Sequence, residues 1–121
     1  MMLAYLHAAK MIKVDYYVEP QGNPVSPVSV SIPVNGSALQ VMEGAANRYG
    51  TNYYFTSKYY GKYHGFEILA IDGIPHDEAH YWEFLIKSPN GSIERPEVGI
   101  SAYKFSNTGY GMIMRLKEKL K

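Results

Sequence analysis

Tyr81-Trp82-Glu83-Phe84-Leu85-Ile86 holds the only tryptophan of a 121-residue chain, and its reading decides how the rest assembles. Side chains alternate across a strand, so Tyr81, Glu83 and Leu85 face one way while Trp82, Phe84 and Ile86 face the other. One face belongs to a core, and the other needs a cover. A tryptophan presents about 150–250 Å² of surface, so at roughly 25 cal/mol per Å² an uncovered ring forfeits about 4–6 kcal/mol at most. Either the fold or a ligand must supply that cover.

Turn signals bound this strand on both sides. Ser88-Pro89-Asn90-Gly91 ends it, and upstream Asp72-Gly73 closes a strand over residues 66–71 with a hairpin-type turn. Tyr53-Tyr54-Phe55-Thr56 reads as a further strand, followed by a tyrosine-rich loop up to Gly61 or Gly65. Before it, Ser37 and Gln40 have capping-box spacing, and Gly50 supplies a stop, which predicts a helix over 38–49. Leu39, Met42, Ala45, Ala46 and Tyr49 recur at three and four residues and form its packing face.

The first part of the chain alternates with period two. Ile12, Val14, Tyr16 and Val18 predict one half-buried strand and Val28, Val30 and Ile32 a second, joined by a proline-rich connection as a long hairpin. Residues 1–10 form at most one or two helical turns, too short to stand alone. After an irregular stretch at 95–103, Thr108-Gly109 turns into a last strand over 110–116. Strand, strand, helix and then several strands predict one α+β domain over 1–121, a mixed sheet with one main helix packed on one face.

Composition narrows the partners. Lys and Arg number 12 against 11 Asp and Glu, so no net field draws the chain to nucleic acid or anionic lipid. No apolar run reaches the ~20 residues a membrane helix needs. The absence of cysteine excludes disulfides, thiolate metal sites and a cysteine nucleophile. Tyrosine is over-represented at 12 residues, several of them in Tyr59-Tyr60-Gly61-Lys62-Tyr63.

Five stretches carry a family resemblance. Gly36-Ser37-Ala38-Leu39-Gln40-Val41-Met42-Glu43-Gly44-Ala45-Ala46, Tyr63-His64-Gly65-Phe66, Ile71-Asp72-Gly73-Ile74, Tyr81-Trp82-Glu83-Phe84-Leu85 and Gly99-Ile100-Ser101-Ala102-Tyr103 stand in one register. In order and spacing the chain from Lys13 onward resembles the C-terminal β-domain of transcobalamin and intrinsic factor. The resemblance implies a β-grasp-like, extracellular domain. In the vertebrate carriers it covers one face of cobalamin while a separate helical barrel holds the other, and no counterpart of that barrel is expected within these residues. By position, the ligand-facing segments would be His64-Gly65-Phe66-Glu67-Ile68-Leu69 and Trp82-Glu83-Phe84-Leu85. Two departures stand out: the carriers often have tryptophan where this chain has His64, and the stretch 87–96 is longer than expected.

The resemblance thus implies a ligand-binding set of His64, Gly65, Phe66, Ile68, Trp82, Phe84 and Leu85, with cobalamin as the ligand. The plainer account of Trp82, Phe84 and Phe66 is core beneath the helix. His64 is a weak candidate for a metal ligand, and a polar loop residue is its plainer account. His76 and His80 share a face only on a helix, and Pro75 favours a turn there instead. Glu67 and Glu83 read as solvated carboxylates. No nucleophile elbow or phosphate loop appears, so a non-enzymatic binding domain ranks above catalysis.

A lone domain covers only one side of a flat ligand, so the expected partners are a second copy, forming a homodimer, or a separate helical domain. The alternative is an extracellular structural or protein-interaction module in which Tyr59, Tyr60 and Tyr63 form an interface or, with Lys58 and Lys62, a crosslinking site. Asn35-Gly36-Ser37 and Asn90-Gly91-Ser92 match the N-glycosylation sequon and are equally ordinary turns.

Overall fold

The computed structural model describes residues 10–20, 26–60 and 65–119. Expectations for the N-terminal helical turns, for Lys62, Tyr63 and His64, and for most of the proline-rich connection fall outside these residues.

Alternation does at the N-terminus what it predicts. In β1 (Met11–Glu19), Ile12, Val14, Tyr16 and Val18 are buried, whereas Lys13 and Asp15 are exposed. This strand pairs antiparallel with β2 (Val28–Pro33), Val14 opposite Val30. A two-residue β3 (Gly36–Ser37) leads into α1 (Ala38–Tyr49), and the chain then runs through β4 (Phe55–Tyr60), β5 (Gly65–Ile71), β6 (Ile74–Pro75), β7 (His80–Lys87), β8 (Ile93–Glu94), β9 (Lys104–Phe105) and β10 (Gly111–Glu118). β10 lies parallel to β1, with Tyr16 opposite Met112, and antiparallel to β7, with Phe84 opposite Met114. The principal sheet therefore has five strands in the order β2-β1-β10-β7-β8.

The helix starts and stops where its caps dictate. Ser37 Oγ accepts from the Gln40 amide at 3.2 Å while Gln40 Oε1 accepts from the Ser37 amide at 2.7 Å, so two otherwise unpaired donors are satisfied reciprocally. The next amides, of Ala38 and Leu39, donate to the carbonyls of Tyr103 and Ile100 at 3.0 and 2.9 Å. Gly50, at φ 85°, ends the helix in a conformation that a side chain would strain. The buried face differs from the expected one: it is Ala38, Val41, Met42 and Ala45, with Leu39 half-buried and Tyr49 exposed. Gly44 is the reason. A Cβ there would stand 2.7 Å from Val30 Cγ1, so the helix seats on β2 along that side and Tyr49 swings over the sheet edge to donate to the Ser29 carbonyl.

The expectation of one mixed sheet needs correction. β4, β5 and β6 form a separate three-stranded sheet, and the stretch taken for a tyrosine-rich loop is largely the strand β4. Tyr53, expected to begin that strand, instead sits in a short 3₁₀ turn, its ring 6.0 Å from that of Tyr16 and its hydroxyl donating to the Ser26 carbonyl. The register of β4 on β5 steps from Thr56 opposite Ala70 to Ser57 opposite Ile68, leaving Leu69 as a one-residue bulge. The extra residue restores phase, so Ile68 and Ile71, three apart, are both buried. Asp72 and Gly73 take φ of 52° and 74°, the left-handed pair that a two-residue hairpin requires, and bring Ile74 opposite Ile71.

Trp82, Ile86, Met112, Met114, Tyr16 and Val18 share the face of the principal sheet on which the helix lies. The helix packs on β2 and β1, so Trp82, two strands further on, is covered by the second sheet: its Nε1 donates to the Ile74 carbonyl at 3.0 Å and it is 8% exposed. The opposite face keeps a small patch of Leu85 and Ile113, fenced by charge. Arg115 bonds Glu19 at 2.8 Å, and Lys87 sits over the Tyr17 ring. Glu83, read from sequence as solvated, is only 5% exposed. Arg95 reaches back from beyond β8 to pair with it, and Lys117 Nζ lies 3.8 Å away.

Two substitutions test these packing arguments. Ser37→Ala removes one half of the capping box and is expected to cost about 1 kcal/mol, seen as a lower urea midpoint at unchanged slope. Tyr16 is fully buried, its hydroxyl meets no hydrogen-bond partner among the described residues, and burial holds its phenol far above the ordinary ionisation range. Tyr16→Phe is therefore expected to match the parent or exceed it by up to about 1 kcal/mol, and a clear loss in the same assay would mean that the hydroxyl is bonded.

Candidate functional site

Where the second sheet meets the Trp82 end of the first, the two leave a cavity of about 550 Å³. Trp82, Phe84 and Met114 line it from the principal sheet, Phe66 and Ile68 from β5, and Gly99 and Ile100 from the loop between β8 and β9. Tyr60, Glu67, His76 and Tyr81 add polar groups to this apolar surface.

Local structure explains each wall. Phe66 and Ile68, two apart on β5, face the same side by strand alternation, and Tyr59 backs Phe66 with ring centroids 5.2 Å apart. Gly65 has φ 76°, and a Cβ there would collide with Ser101 Oγ, so glycine lets β5 approach the loop that carries Ile100. That loop is tied to the helix through the Ile100 and Tyr103 carbonyls. Phe84 meets the edge of Tyr103 at 5.9 Å, and burial raises the Tyr103 phenol above its usual range.

Of the residues expected from sequence, Gly65, Phe66, Ile68, Trp82 and Phe84 converge on this cavity. Leu85 does not: it lies on the other face of β7, opposite Ile113 and outside the main core. Tyr60 lines the cavity and Tyr59 is 63% exposed beside it. Sequence reasoning missed Met114 and Ile100, whose signals were only their places in the last strand's alternation and in the Gly99-Ile100-Ser101 stretch. It also missed His76, which drew notice solely as a partner of His80.

The two histidines diverge, as the expected turn requires. Asp77 Oδ1 accepts from the amides of Ala79 and His80 at 2.8 and 2.7 Å and lies 3.1 Å from His80 Nδ1. His76 instead turns Nδ1 toward Glu67 Oε1, at 3.6 Å. Among the described residues no group of three His, Cys, Asp or Glu side chains comes together to hold a bare metal ion.

The Asp77 turn sets the spacing between β6 and β7 and yields a pH prediction. The Ala79 amide, followed by the His80 ring and amide, holds the Asp77 carboxyl below its ordinary value of 3.8. A carboxyl depressed by folding contributes stability above about pH 4, and that contribution fades as the pH falls through its folded value. Asp77→Asn is thus expected to be less stable than the parent at pH 7, with the gap closing as the pH is lowered below 4 in urea titrations. A gap that stays constant with pH would disprove this account of the turn.

No protein-family model and no curated protein matches the chain. Among solved structures, the crystal structure of haptocorrin in complex with Cbi matches with a TM-score of 0.78 and 23% identity, covering 94% of this chain and 27% of that one. A Ruminococcus gnavus protein described as a candidate metal binder matches with a TM-score of 0.61 and 14% identity, covering 90% of this chain and 99% of that one. The chain spans about a quarter of the haptocorrin chain, and at these identities the likeness speaks for architecture alone. The fold is that of a transcobalamin-type C-terminal domain.

Proposed function

We propose that the cavity is a one-sided binding site for a flat ligand of the cobalamin type and that the domain is a non-enzymatic binding module. The observation that carries this reading is the convergence of Trp82, Phe84 and Phe66 on one cavity, in a fold shared with a structure of haptocorrin bound to Cbi. Aromatic and aliphatic walls with a few polar groups at the edge suit a broad, mostly apolar ligand face. These residues fit a corrin as a surface against which its plane rests. Gly65, Phe66, Ile68, Trp82 and Phe84 form the contact set in this reading, with Leu85 supporting β7 from behind.

The β-grasp assignment draws support from the strand order, in which β2 and β7 flank the parallel pair of β1 and β10 and one helix packs on the β2 and β1 side. A cavity between two sheets of a single domain leaves the far side of such a ligand exposed. A second copy or a separate helical domain is the partner this geometry calls for, and an extracellular setting accords with the likeness to a secreted carrier. Among the described residues no helix is long and apolar enough to cross a membrane. A second reading, a structural or interaction module, is favoured by the exposed Tyr54 and Tyr59 near or on β4 and by Lys58 lying 5.1 Å over the Tyr60 ring.

Because Trp82 is the only tryptophan, its fluorescence reports on the cavity directly. Titration with cobalamin is expected to quench it saturably, and Phe84→Ala is expected to weaken binding about tenfold, or ~1.4 kcal/mol. An unchanged signal at millimolar cobalamin would rule out the corrinoid reading.

A further inference from the structure

Resting on the reading of the cavity as a site for a flat ligand, we propose that the Glu83–Arg95 ion pair, on the opposite face of the principal sheet, is a latch that holds the Ile100 wall of the site and so sets how tightly ligand is retained. Glu83 and Trp82 are neighbours on β7 and point to opposite faces, Trp82 into the cavity and Glu83 away from it. β8 pairs with β7 only at Ile86 and Lys87, and beyond Glu94 the chain leaves that edge. Arg95 turns to the Glu83 face, whereas Gly99 and Ile100, shortly after it, line the cavity. Residues 95–100 thus form a strap that passes from one face of the sheet to the other.

The two ends of the strap are held by different means. At the cavity end, the Ile100 carbonyl accepts from the Leu39 amide at 2.9 Å, and the Gly99 carbonyl accepts from the amides of Ala102 and Tyr103 at 3.1 and 3.0 Å. At the other end the hold is electrostatic. Glu83 is buried, and a carboxylate removed from water depends on a paired cation. Arg115, opposite Glu83 in register, is bonded to Glu19 at 2.8 Å, and Lys117 Nζ stands 3.8 Å from Glu83, so Arg95 is the cation in direct hydrogen-bonded contact. Pro96 follows at once, and its fixed φ stiffens the path from the latch to the wall. Releasing Arg95 leaves the strap anchored at one end, and the wall that Ile100 forms is then free to move relative to Trp82 and Phe84.

Hydrogen exchange in the unliganded protein tests the latch, and quenching of Trp82 by cobalamin tests its effect on the site. Arg95 is exposed, so its replacement leaves the core intact. Arg95→Ala is expected to speed exchange of the Leu39, Ala102 and Tyr103 amides about tenfold, with the Tyr16 and Val18 amides of β1 unchanged, and to weaken cobalamin binding about tenfold. Arg95→Lys, which keeps the charge, is expected to recover most of both effects. Lys13→Ala, which removes an exposed charge from β1, two strands away from β7, is expected to match the parent in both. Parent-like exchange at the strap in Arg95→Ala, or exchange that rises equally in β1, overturns the latch. Faster exchange at the strap with parent affinity overturns its effect on the site. Absence of quenching in the parent overturns the flat-ligand reading, and the exchange pattern still decides whether Arg95 holds the strap.

Discussion

The parallel pairing of β1 with β10 is the constraint on which the rest of the structure depends. Strands that run side by side in one direction cannot be joined by a tight turn, so the chain between Glu19 and Gly111 must cross from one side of the pair to the other before β10 can lie beside β1. The helix, entering straight after the first hairpin, packs chiefly on β2 and β1 within this sheet. Half of the apolar face is then left for later segments to cover. β4, β5 and β6 do so as an independent sheet, and the gap left between the two sheets is the cavity at Trp82.

That arrangement separates what was legible in the sequence from what was not. Local signals were legible because their causes are local: the Ser37 and Gln40 cap, the Gly50 stop and the Asp72-Gly73 turn each depend on a few adjacent residues. Alternation assigned the faces of β1, β7 and β10 correctly, but it does not say which element lies over a face. Trp82 shares the helix side of the sheet without lying under the helix, an outcome that alternation alone does not distinguish from burial beneath it. The Leu69 bulge left no mark in the pattern, and β4 was hidden by a tyrosine-rich stretch that reads equally as loop.

Site residues divide along the same line. Gly65, Phe66, Ile68, Trp82 and Phe84 were marked through the resemblance to a known domain, and the fold brings them to one cavity. Leu85 came with them from that resemblance, although its parity on β7 already set it apart from Trp82 and Phe84. His76, Ile100 and Met114 arrive from three distant segments, and no spacing in the chain announces their meeting. Glu83 is comparable: its burial depends on Arg95, twelve residues later, folding back across the strand.

The carbonyls of Ile100 and Tyr103 do more than anchor the cavity wall. Together with Ser37 Oγ they occupy the amides of Ala38, Leu39 and Gln40, the donors that helices elsewhere offer to phosphate and other anions. The positive end of α1 is closed from within. An anion near the neighbouring cavity therefore finds no free amide at this end of the helix.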